Sequence, residues 1–342
     1  MPGSKEAFDR KLAALESLRA DPGSLATLDA LRKALKDRNN FLVAKAATLC
    51  EQLSLKALKP DLATAFERFM IDPVKSDPKC WAKNALAKAL KDLEHDDPAV
   101  FLRGIVHIQR EPVWGGQSDS AVTLRGICAL ALVATTLDRV SILMQLVDML
   151  ADPEKPARID AIRALGQFPG HDTVHLLRLN TLLAGMDPEV AGNCFDALLS
   201  IDPAESVPFV ARFLSALDPD VRAEAAAALG SSPEPLALYL LQRTFEDRID
   251  PELKAAILRS LAASRQAPAA DFLLTVIEEA RPELAATALE SLAAGRFREE
   301  FHAPAAEAVR HRNLGELTAA FHRYFSPSPI PTEPPNQTGP RQ

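Results

Sequence analysis

Aromatic side chains are scarce in this sequence, 6% of the residues with two Trp and two Tyr. Strands draw heavily on aromatic and β-branched residues, so a chain poor in the former and built from Ala and Leu is not patterned as a β-protein. Glycine is also thin, and none of its 14 residues falls into G-x-G-x-x-G or G-x-x-x-x-G-K, the loops that let a backbone cradle phosphates. The nucleophile elbow G-x-S-x-G and the zinc motif H-E-x-x-H are missing as well. The four cysteines, Cys50, Cys80, Cys128 and Cys194, are never closer than thirty residues. That spacing excludes a Cys-x-x-Cys metal or redox pair and predicts small, reduced core residues. No apolar run reaches the eighteen residues of a membrane helix. The opening Met1-Pro2-Gly3-Ser4-Lys5 leads into a charged segment without a signal-peptide core. A cytoplasmic protein is the expectation, with no membrane partner.

Charge is present but unevenly spread. The net charge is −7 and the isoelectric point is near 5.6, the opposite of the basic surface that nucleic-acid binders present. Residues 1–110 nevertheless carry 19 Lys and Arg against 15 Asp and Glu, and the remainder 20 against 31. Twelve of the fourteen lysines lie in that first segment. It reads either as a set of solvated helix faces or as a mildly basic end that meets an acidic partner.

The strongest signal is internal repetition. Asp218-Pro219-Asp220-Val221-Arg222 continues through Ala225 and Ala228 to Leu229-Gly230, and related starts occur at Asp37, Asp77, Asp119, Asp152, Asp187, Asp250 and Arg281. The steps along the chain are 40, 42, 33, 35, 31, 32 and 31 residues. Each part has a physical role. Asp caps the orphan N–H groups of a helix, Pro suits its first turn, and an acidic residue beside it favours the positive end of the dipole. Ala three apart keeps one face thin, and Gly after Leu is expected to end the helix. Between these helices lie amphipathic partners, with predicted buried stripes at Leu143, Leu146, Val147 and Leu150, at Val210, Phe213, Leu214 and Leu217, and at Leu273, Val276, Ile277 and Ala280. No segment reads as a strand.

The D-P-x-V-R-x-x-A-x-x-A-L-G pattern resembles the HEAT repeat, in the variant also called PBS-lyase HEAT-like. The resemblance implies an all-α fold, a right-handed α-solenoid of about nine or ten stacked helix pairs over residues 1–325. Its units are degenerate before about residue 119 and clearest over 152–295. Residues 326–342 are Pro-rich and polar and predict a disordered tail.

Few residues stand out as candidates for function. The segment from Glu111 to Asp119 holds Trp114, Gly115 and Gly116, the one Gly-Gly of the chain. A Trp on such a loop is either a recognition anchor or a plug where the repeat spacing stretches. Arg125, Arg158 and Arg222, with Lys83 and Lys254, occupy the basic position of the repeat. The resemblance implies a structural ladder to capping Asp residues there; an anion-gripping stripe is the other reading, which Ala191 and Ala285 interrupt. His171 and His175, four apart, could share a helix face and hold a metal, but no third ligand is near in sequence.

Three enzyme groups share this resemblance. No His is followed by Glu, against the iron site of deoxyhypusine hydroxylases. Alkylpurine DNA glycosylases of this fold use a basic concave face that the composition does not supply. Bilin lyases share the motif with many non-enzymes. The expectation is therefore a scaffold or adaptor without catalysis or cofactor, taking a protein partner on the concave face lined by the second helices. The alternatives are a HEAT-like enzyme or cofactor handler with perturbed carboxylates in a pocket near Trp114 or Trp81, and weak nucleic-acid binding through the Lys-richer first third.

Overall fold

The computed structural model of the chain describes residues 2–183 and 187–325; the expected disordered tail at 326–342 lies outside them. The chain divides into two compact units, Met1–Ile201 and Asp202–Gln342. Both are built from antiparallel helix pairs, twenty α-helices among the described residues, and the second helix of each pair packs on the second helix of the next within a unit. This is the HEAT-like solenoid arrangement.

In the first unit, the helix Pro2–Ser17 precedes five pairs: Leu25–Leu35 with Asn40–Gln52, Lys59–Phe69 with Trp81–Asp92, Ala99–Ile105 with Val122–Leu132, Arg139–Leu150 with Lys155–Gly166, and His171–Leu182 with Pro188–Ile201. The second unit has four: Pro203–Ala211, extended by a short 3-10 turn, with Pro219–Ser231; Pro235–Asp247 with Pro251–Ala262; Ala267–Glu279 with Pro282–Ala294; and Arg298–Arg312 with Gly315–Phe325. The caps work as the motif requires. The Asp218 carboxylate accepts from the Asp220 N–H at 2.8 Å, and Asp250 accepts from Glu252 and Leu253 at 3.0 and 3.3 Å. Arg281 offers no side-chain cap to its helix.

The structure corrects several expectations. Two strands exist, β1 (Arg110–Val113) and β2 (Gly116–Asp119), paired antiparallel with Val113 opposite Gly116. They are an insertion, and they account for the longest step between repeats. The predicted stripe in Arg139–Leu150 is rotated: Ile142, Leu146 and Met149 are buried, whereas Val147 is exposed. Apolar residues occupy almost every face of that helix, so several stripes were compatible with the sequence. Leu217 is fully exposed because its helix stops at Ala211 and a 3-10 turn breaks the period. The stripe at Leu273, Val276 and Ile277 is buried, with Ala280 at the edge of the core.

Gly166 is the last residue of its helix and Gly230 the last but one, neither in a left-handed conformation; Gly115 is the one glycine in the left-handed φ range among the described residues. Gly230 serves close approach instead. A Cβ there would stand 2.5 Å from the Ser260 carbonyl oxygen of the neighbouring helix. Gly104 and Gly126 follow the same rule, since their missing side chains leave room for the Cys128 Sγ and the Asp160 carboxylate.

Candidate functional site

The inserted hairpin is the most distinctive surface feature. Its turn is Trp114-Gly115, and Gly115 takes φ +88°, which an L side chain adopts only with strain. The Trp114 side chain is 104% exposed, and Val113 beside it is half exposed. Trp114 is thus a projecting side chain rather than a packed plug. Nothing lies within 4 Å of a Cβ built on Gly115 or Gly116, so the tip stands clear of the repeats.

The base of the hairpin is anchored. One oxygen of the Glu111 carboxylate accepts from the Lys79 backbone N–H at 2.7 Å and from the Gln109 amide and the Ser120 hydroxyl at 2.6 Å each. Burial works to raise the Glu111 carboxyl, but these donors outweigh it and hold it below the usual range. Gln109, 1% exposed, also donates to the Asp77 carbonyl at 2.9 Å. Lys79 and Cys80 are both left-handed, at φ 60° and 54°, so the chain that receives the hairpin is itself strained into place.

A continuous polar network runs inward from there. Asp77 and Lys83 are fully buried and form an ion pair at 3.1 Å. The Asp77 oxygens also accept from the N–H groups of Ala82 and Lys83 at 2.9 Å and from Asn40 at 2.9 Å. Asp77 therefore caps the helix Trp81–Asp92 from outside it. Arg125, 3% exposed, donates to the Asp119 carboxylate at 2.6 Å, to the His107 carbonyl at 2.9 Å, and to both oxygens of Asp152 at 2.8 and 3.1 Å. Burial raises the Asp119 carboxyl less than the N–H groups of Ala121 and Gln109 and the Arg125 guanidinium lower it. The Glu111 and Asp119 carboxyls are thus acceptors lowered by the donors around them.

The other basic positions divide. Arg158 donates to the carbonyls of Asp152 and Pro153. Arg222 donates to the carbonyls of Ala216 and Leu217 and reaches Asp250 of the next repeat at 2.9 Å. Lys254 sits 4.7 Å over the Phe245 ring. The resemblance implied a ladder to capping Asp residues, which Arg125 and Arg222 make and, among the described residues, Arg158 and Lys254 do not; nothing in the sequence marked the Glu111 brace, whose partners are separated by up to 32 residues.

His171 and His175 are exposed on the first turns of His171–Leu182, and among the described residues no three His, Cys, Asp or Glu side chains gather as a metal site. All four thiols are buried, and burial pushes Cys80 up to about 11 and Cys50 and Cys194 up to about 12. No helix among the described residues is long and apolar enough to cross a membrane.

The face made by the second helices is open in the second unit. A groove of 450 Å³ runs between Pro219–Ser231 and Pro251–Ala262, floored by Ala223 and Ala256 and edged by Asp220, Arg222, Glu252 and Arg259.

Residues 176–262 match the family model for HEAT repeats. No curated protein matches the chain. Among solved structures, the chain is similar to the phycocyanin lyase complex of CpcE and CpcF from Nostoc sp. PCC7120, at 17% identity and a TM-score of 0.37 over 69% of this chain and 91% of that one. It is also similar to human deoxyhypusine hydroxylase, at 17% identity and a TM-score of 0.30 over 77% and 99%. A third similarity is to an engineered protein, at 16% identity and a TM-score of 0.34 over 91% and 90%.

Proposed function

We propose that this chain of HEAT-like repeats, whose residues 176–262 match the HEAT-repeat family model, is a non-catalytic interaction scaffold of the cytoplasm that grips a protein partner with the Trp114 hairpin and the face of its second helices. The observation that carries this reading is the fully exposed Trp114 side chain on a hairpin whose base is braced. An indole removes about 200 Å² from water when buried, which at about 25 cal/mol per Å² contributes roughly 5 kcal/mol before ordering costs. Those costs are reduced when the anchor is held in position beforehand. Trp114, Gly115 and Gly116 form the contact; Arg125 ties its own repeat to the next in the first unit, and Arg222 does so within the second. The small-residue groove between Pro219–Ser231 and Pro251–Ala262 supplies further surface of the kind solenoids use.

The test is affinity capture of the full-length protein from its native cells, alongside Trp114→Ala. A near-stoichiometric protein partner that is lost from the variant supports the scaffold. A partner retained at full yield removes Trp114 from the interface, and an eluate free of partners from both proteins removes the reading itself.

A further inference from the structure

Beside the hairpin, three aromatic rings line up across three helices that pack side by side though not consecutive in the chain. Phe8 of Pro2–Ser17 lies 5.9 Å from Phe41 of Asn40–Gln52, and Phe41 lies 5.5 Å from Trp81 of Trp81–Asp92, centroid to centroid. Trp81 is 47% exposed, and Phe8 and Phe41 are half-buried. Two ammonium groups stand over this row, Lys45 at 5.5 Å from the Phe41 centroid and Lys79 at 6.0 Å from that of Trp81. The Lys79 backbone N–H is the one that Glu111 accepts, so the row and the hairpin adjoin.

Several acids on or beside these helices are engaged with other donors, and Glu6 and Asp9 flank Phe8 on its own helix. Asp37 takes Lys11 at 2.6 Å, Glu16 takes Arg19 at 2.6 Å, Glu51 takes Lys88, and Asp77 is buried with Lys83. Glu16 feels Lys45 through space, yet among the described residues neither Lys45 nor Lys79 is in an ion pair. Half-exposed aromatic surface flanked by unpaired cations is complementary to a segment that alternates apolar and acidic side chains.

We propose that the Phe8–Phe41–Trp81 row with Lys45 and Lys79 is the docking site for an acidic, aliphatic-rich peptide segment of the partner. Aliphatic side chains lie against the rings and carboxylates meet the two ammonium groups. Single-stranded nucleic acid fits the row less well. Its bases stack on open parallel faces, whereas these rings are inclined at 50° and 60° and packed on one another. This inference rests on the scaffold reading and adds the chemistry of its partner.

The test uses the full-length chain carrying Trp114→Phe, which leaves Trp81 as the one indole of two. The probes are a synthetic dodecapeptide alternating Glu and Leu, its Lys–Leu counterpart, and an oligothymidylate. Trp81 emission shifts and saturates with the Glu–Leu peptide alone, and added salt weakens that binding. In a Lys45→Gln, Lys79→Gln variant, whose changes are on exposed side chains and whose melting is checked by circular dichroism, the affinity falls about fivefold. Equal binding of both peptides, indifference to the two Gln substitutions, or tighter binding of the oligothymidylate overturns the proposal. So does a dimer of this chain that the same substitutions dissociate. If the peptide fails while a captured partner is still lost on Trp114→Ala, the scaffold stands and the row is excluded; if both fail, both readings fall.

Discussion

Arg125 and Asp152 form a two-point contact, Nε to Oδ2 at 2.8 Å and Nη2 to Oδ1 at 3.1 Å, that ties one repeat to the cap of the next. The same guanidinium holds Asp119 of its own repeat. Burial lowers the basicity of Arg125 less than its bonds to Asp152 and Asp119 raise it.

Removing that cation leaves two carboxylates, each about one-tenth exposed, without it. Arg125→Ala is expected to destabilise the chain by about 3 kcal/mol. Arg125→Lys recovers only part of this, because an ammonium cannot match both oxygens of Asp152 while reaching Asp119. Urea denaturation of the three proteins checks the order, and a loss below about 1 kcal/mol for Arg125→Ala would show the ladder to be incidental.

Glu111 gathers three donors at the hairpin base. Glu111→Ala leaves these groups without their acceptor and is expected to cost about 2 kcal/mol. Amide exchange within 110–119 should accelerate more than exchange in the helix Val122–Leu132, and partner capture should weaken although Trp114 is intact. Unchanged hairpin exchange would mean that the strands hold themselves.

The Asp172 carboxylate accepts from Arg139 at 2.5 and 2.9 Å. Chiefly through those bonds its carboxyl is lowered to about 2, against about 3.9 in an unfolded chain. A depressed carboxylate contributes stability above the unfolded value and loses it as pH falls through the folded one. The contribution is therefore complete above about pH 4 and fades toward pH 2. Arg139→Ala should flatten that stretch of the stability profile, its cost present above about pH 4 and gone by about pH 2; because the pair is exposed, the whole effect is small. An Asp172 resonance that titrates near 4 in the unaltered protein would contradict this.

The repeating fold was legible because its signals are local. An Asp, a Pro in the first turn and small residues at period three or four describe one helix, and their recurrence describes the stack. The basic position was legible for the same reason, since Arg125, Arg158 and Arg222 recur in step. The hairpin was not. β1 contains Pro112, β2 reads Gly-Gln-Ser-Asp with no apolar residue, and the turn is Trp-Gly rather than Asn-Gly. Neither strand alternates, so only the Gly-Gly and the stretched step marked the place. The Phe8–Phe41–Trp81 row escaped notice because its members are 33 and 40 residues apart in the chain and no one helix carries a pattern that includes them. The stripe of Arg139–Leu150 failed for the opposite reason, an excess of apolar residues that fits several registers.

The close approach at Gly230 reaches beyond the packing of two helices. With the Ser260 carbonyl standing where a Cβ would have to fit, the interval between Pro219–Ser231 and Pro251–Ala262 is fixed by main chain against main chain, not by side chains that can change rotamer. At that end of the two helices the spacing is thus set by backbone alone, and a side chain added at residue 230 would push the helices apart rather than find a new rotamer.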